Sequence, residues 1–121
     1  MSRRTATLST LALAAALALT GCSGDSGSTG GSGGGRTTID ITIRGGKVTP
    51  HGGRVKAEVG KPVTLHVDAD KAGEIHVHST PEQHIDFGQG VSDKRLTIDK
   101  PGIVDVEDHA LDQVIVQLQV S

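Results

Sequence analysis

The chain has 121 residues and a formal charge of -2, with one Phe and neither Tyr nor Trp. Without aromatic rings to stack bases or a basic excess to neutralise phosphates, nucleic acid is not an expected partner. The single Cys excludes a disulfide within the chain, and the single Met is the initiator, so a folded domain downstream has no thiolate or thioether to offer.

Arg3 and Arg4 precede an apolar run from Ala6 to Leu19, closed by Leu19-Thr20-Gly21-Cys22. A basic head, a short apolar stretch and small residues at the cut make a secretory signal, and the run falls short of the roughly 20 apolar residues of a membrane span. The closing four residues resemble a bacterial lipobox. That resemblance implies a lipoprotein signal peptide over 1–21, with cleavage before Cys22 and acylation, palmitate included, of that residue. The protein is then expected outside the cytoplasm, anchored to the bacterial cell membrane by lipidated Cys22. An ordinary cleaved signal with an incidental Cys22 is the alternative. Residues 22–35 continue as SGDSGSTGGSGGG after the Cys. This is a flexible tether whose typical reach is about 20 Å.

Residues 36–121 form the domain. Ile39, Ile41 and Ile43 alternate with Thr38, Asp40 and Thr42, and Gly45-Gly46 ends the run. Period two of this kind marks a half-buried strand. The pattern returns in Val55, Ala57 and Val59, in Val63, Leu65 and Val67, and in Ile75 and Val77. It returns again in Leu96 and Ile98, in Val104 and Val106, and in Val114, Val116, Leu118 and Val120. About seven strands with regular turn signals predict an all-β sandwich whose core is Val, Ile and Leu. Thr80 to Gly90 is expected to be a long loop holding a helical turn and to be the place for function. Phe87 is expected to plug one end of the sandwich.

Three stretches in order, Val59-Gly60-Lys61-Pro62-Val63-Thr64-Leu65, the His-bearing Glu74 to His78, and Pro101-Gly102-Ile103-Val104-Asp105-Val106, resemble a small cupredoxin-like domain. The resemblance covers about Ile39 to Val120 and is nearest to divergent domains of bacterial exported proteins, including periplasmic iron-uptake components. It implies a Greek-key β-sandwich. It also marks a departure: a type 1 copper site needs a Cys near positions 107 and 108, where this chain has Glu107 and Asp108, and no Met lies nearby. The His₂Cys arrangement cannot form, which removes type 1 electron transfer.

What remains is a candidate metal site of His76, His78, Glu107 and His109. Glu74, His76 and His78 alternate on one strand and Asp105, Glu107 and His109 on another, and the resemblance makes these strands neighbours. An N₃O donor set suits copper or zinc, with copper favoured by the usual affinity order. Asp108 or Glu74 is expected to accept an imidazole N–H. His84 is either a fifth ligand closing over the site or a surface loop residue; His51 reads as a turn residue, and His66 has no assigned role. The same polar residues also suit a solvated outer face, or a face that binds a partner. Because ligating imidazoles must be neutral, metal affinity is expected to fall as the medium acidifies.

The chain has no nucleophile paired with a base at a recognisable spacing and no phosphate-cradling loop, so an enzyme is not expected. A membrane-tethered metal-binding module is the leading reading. The alternative is a metal-free scaffold that docks an exported protein through a sheet edge or apolar patch. The protein is expected to be a monomer.

Overall fold

The computed structural model describes residues 35–121, so the expected signal peptide, Cys22 and nearly all of the tether lie outside the described residues. Nine strands occur there: β1 (Thr37–Arg44), β2 (Lys47–Thr49), β3 (Gly53–Ala57), β4 (Pro62–Ala69), β5 (Gly73–Val77), β6 (Gln83–Phe87), β7 (Gly90–Thr97), β8 (Gly102–Asp108) and β9 (Gln113–Val120). They form two sheets, of order β2-β1-β4-β7 and β3-β9-β8-β5-β6. β1 runs parallel to β4 and β3 parallel to β9, while the other pairs are antiparallel. The expected sandwich is present.

Alternation drives the architecture. In β1 and β4, Ile39 lies beside Leu65 and Ile41 beside Val67, all four buried, while Asp40 and His66 face outward. Ile75, Val77, Val106 and Leu118 supply the opposing face, each fully buried. A fully buried aliphatic side chain of this size contributes about 1.5–3 kcal/mol, so layers of Val, Ile and Leu hold a sandwich without aromatic residues at its centre. The one aromatic, Phe87, is buried at the end of β6.

β1 and β2 are joined by Gly45 and Gly46, at φ 58° and 74°. A two-residue hairpin with both central residues left-handed matches the twist of its strands, and Gly enters that region without a Cβ penalty. Gly45 N–H donates to Asp70 Oδ2 at 2.8 Å. On the outer face of this sheet Arg44 clamps Asp68 at 2.7 and 2.8 Å, and the His66 ring meets the Asp93 carboxylate across β4 and β7 at 2.6 Å.

Several local expectations need correction. β2 and β6 are strands that hydrophobic counting misses, because β2 has a single apolar residue and β6 follows Pro81 and Glu82 with mixed polarity. The expected loop from Thr80 to Gly90 is mostly this sixth strand, and its helical turn is absent. Val59 lies beyond β3 and is 38% exposed. In β9 the register slips: Val106 pairs with Val116 but Glu107 with Val114. The extra residue, Ile115, forms a bulge and turns inward beside Val116, so both are fully buried where simple alternation would expose one.

Candidate metal centre

The outer face of the five-stranded sheet gathers four of the six histidines. β5 lies between β8 and β6, and His76 has Glu107 opposite on one side and His84 opposite on the other. Neighbouring strands are about 4.8 Å apart, so residues in one cross-strand row touch. The rings of His76 and His84 have centroids 4.2 Å apart, and His78 leans back to 4.8 Å from His76. His109 lies just past the end of β8, where its N–H donates to the Glu74 carbonyl at 3.0 Å, and its ring stands edge-on 5.5 Å from His76. His76 is thus ringed by three imidazoles, and its side chain is only 16% exposed.

Carboxylates hold these rings. Glu74 Oε1 lies 3.0 Å from His84 Nδ1, and His84 Nε2 lies 3.2 Å from His76 Nε2. His76 Nε2 also lies 2.9 Å from Glu82 Oε1, and the same oxygen is 3.3 Å from His78 Nδ1. His78 Nε2 is 3.0 Å from Glu107 Oε2. The acceptors assign the tautomers: His84 donates from Nδ1 to Glu74, which leaves its Nε2 bare, and His76 donates from Nε2. Three donor atoms, His76 Nε2, His84 Nε2 and Glu82 Oε1, therefore converge on one proton and lie within 4.8 Å of one another. A divalent ion replacing that proton meets two imidazole nitrogens and a carboxylate oxygen, with His78 Nδ1 3.3 Å from that same oxygen. Glu74 and Glu107 each hold the other nitrogen of a ring facing this point, which is how carboxylates orient ligating imidazoles.

The hydrogen bond from His84 is the main cause that holds the Glu74 carboxylate below its ordinary range, with the charge of His84 adding to it. The same bond raises the His84 imidazole above its ordinary value, with the charges of Glu74, Glu82 and Asp86 behind it.

The turn before β6 aims Glu82. Ser79 Oγ donates to the Pro81 carbonyl at 2.7 Å and accepts from Gln83 Nε2 at 3.0 Å, and Gln83 Nε2 also reaches the Thr97 carbonyl at 3.0 Å. Gln83 thereby ties this turn to the end of β7 in the other sheet.

Of the sequence-predicted residues, His76, His78 and Glu107 come together, with Glu107 set against His78 rather than against the converging atoms. His109 stands at their edge. His84 is on a strand directly opposite His76 and not in a loop. Asp108 does not reach an imidazole: it shares the inward face with Val104 and Val106, is 2% exposed, and accepts from Leu111 N–H at 2.9 Å. Of the two, Glu74 fills that role. His51 is exposed at the crossing from β2 to β3. Glu82 was missed; the signal available was its position four residues after His78 and two before His84, which is legible only once β5 and β6 form a hairpin.

No protein-family model matches the chain, and no curated protein matches its sequence. Solved structures do match. A purple cupredoxin from Nitrosopumilus maritimus has a TM-score of 0.50 and 18% identity, covering 70% of this chain and 99% of its own. An amicyanin variant in its Cu(I) form has a TM-score of 0.50 and 15% identity, covering 69% and 82%. A copper binding protein in its apo form has a TM-score of 0.55 and 14% identity, covering 75% and 93%. The domain is a divergent cupredoxin-like β-sandwich without the cysteine and methionine of a type 1 copper centre.

Proposed function

We propose that this protein is an extracytoplasmic lipoprotein, tethered to the cell membrane through Cys22, whose cupredoxin-like domain binds a divalent metal ion, copper in preference to zinc, without type 1 electron transfer. One observation carries the reading: His76 Nε2, His84 Nε2 and Glu82 Oε1 converge within 4.8 Å on the accessible face of one sheet. His78 stands beside that point, its Nδ1 3.3 Å from the same Glu82 oxygen, with Glu107 behind it and His109 at the edge. Nitrogen and oxygen donors without sulfur suit Cu(II) and Zn(II) and give no special hold on Cu(I). The chemistry such a centre supplies is reversible capture of the ion, and Glu74 and Glu107 keep the rings oriented for it. The tether and the shallow, open face suit a buffer or a delivery module more than a closed catalytic pocket.

Calorimetric titration of Cu(II) and Zn(II) into the full chain, beside a His76→Ala/His84→Ala variant, tests it. One ion per chain, bound more tightly as copper and lost in the variant, is the expected result. Equal weak binding by both proteins refutes the site.

A further inference from the structure

A groove lies at the end of the domain where β3 edges its sheet, away from β5 and β6. β1 pairs with β4 along its whole inner length, but β2 covers its other side only at Thr42–Arg44, so among the described residues no strand pairs with that side of Thr37–Ile41. β3 pairs with β9 on one side and, among the described residues, with no strand on the other. Between these two edges is a groove of about 1150 Å³. Its floor is core surface: Ile39, Val55, Ala57, Val63 and Val116. The two edges are bridged where Thr37 Oγ1 reaches the Lys56 carbonyl at 3.5 Å.

Its rim is cationic in a protein of net negative charge. Arg36, Arg54, Lys56 and Lys61 line it against Asp40 and Glu58. Among the described residues none of these four cations lies in an ion pair. Arg54 reaches only the neutral Gln117 side chain, at 3.3 Å. Open strand edges recruit other strands, and lysine on such an edge repels a second copy of itself. The same charges attract an acidic strand.

We propose that this groove docks an extended acidic segment of a partner protein, added as a strand to the open edge of β3. Alternate residues of an added strand point to opposite faces. One set lies over Ile39 and Val55 between the sheets, and the other places carboxylates beside Arg54 and Lys56 on the outer face. Main-chain hydrogen bonds to the free edge supply affinity and the charges supply selection. His76 on β5, His84 on β6 and Glu82 just before β6 lie toward the other end of the same sheet from β3, so this docking does not depend on metal.

The test uses the full chain in neutral detergent micelles and two short fluorescent peptides, one alternating Val and Glu, the other Val and Lys. The Glu peptide is expected to bind and the Lys peptide not to. An Arg54→Glu/Lys56→Glu variant, altered only at exposed positions, is expected to lose about tenfold in affinity. Amide hydrogen exchange in Gly53–Ala57 is expected to slow when the Glu peptide is present. The proposal is overturned by equal binding of both peptides, by no binding of the Glu peptide, by unchanged affinity in the variant, or by protection that falls elsewhere.

Discussion

A methyl group added at Gly73 tests the packing that sets the register of the histidine-bearing β5–β6 hairpin. Gly73 lies directly across from Phe87, one at the start of β5 and the other at the end of β6. A Cβ built there falls 2.6 Å from Phe87 Cζ and 3.2–3.3 Å from the two neighbouring ring carbons. Carbon atoms rest at about 3.5–4.0 Å, so the ring has to retreat by roughly an ångström. It is 4% exposed, and retreat uncovers core. Overpacking of this kind costs about 1–3 kcal/mol. In a domain this small 1 kcal/mol moves the melting temperature by about 4–8 °C, so Gly73→Ala should melt roughly 5–20 °C below the wild type. Urea and thermal unfolding read this directly. Adding Phe87→Leu should relieve the clash, making the double variant more stable than the sum of the two single losses predicts. Because the Gly73–Phe87 and His76–His84 pairs share one ladder, copper affinity should fall in Gly73→Ala and partly recover in the double variant. A Gly73→Ala protein as stable as wild type, or strictly additive losses, would refute the reasoning.

Glu74 should act on the metal through His84. Glu74→Gln is expected to lower copper affinity by about 10- to 100-fold while leaving the urea midpoint nearly unchanged, since carboxylates behind ligating imidazoles carry effects of that size. Isothermal titration of the variant beside Glu74→Ala distinguishes orientation from simple loss of charge. Copper at the proposed site should compete with a proton on His84, whose pKa stands above the ordinary 6.5 because of Glu74. Affinity should therefore decline as pH falls through that raised value, and a flat profile from pH 8 to pH 5 would remove His84 from the ligands. On the other sheet, the hydrogen bond to Asp93 raises the His66 pKa above 6.5. The stabilisation from this pair is complete below 6.5 and fades as pH rises through the raised value. Denaturation series on wild type and Asp93→Asn should converge toward pH 8 and separate near pH 6; parallel curves would mean the pair contributes nothing.

Much of this fold is legible in one dimension. Period-two runs such as Ile39, Ile41 and Ile43 assign the buried face because side chains of a strand alternate whatever the rest of the chain does. Gly45-Gly46 announces its hairpin because the turn needs two left-handed residues. Glu107 and Asp108, standing where a type 1 centre requires a cysteine, remove that chemistry by composition alone. Short polar strands are harder: β2 and β6 owe their existence to a neighbour that offers a ladder, and no local pattern reports that neighbour. The bulge at Ile115 is equally silent, since only the mismatch between β8 and β9 forces an inward turn there.

For the site, spacing on single strands pairs His76 with His78 and Glu107 with His109, because i and i+2 share a face, and the resemblance to cupredoxins sets the two strands side by side. Tertiary structure alone decided which groups stand beside them. The β5–β6 hairpin brings His84 to within 3.2 Å of His76 and turns Glu82 back onto the pair. The inward face of β8 takes Asp108 away from the histidines and gives it to the Leu111 amide. Alternation along a strand is a property of the chain, whereas the row across a sheet depends on strand order and register, and those are set by the packing of both sheets at once.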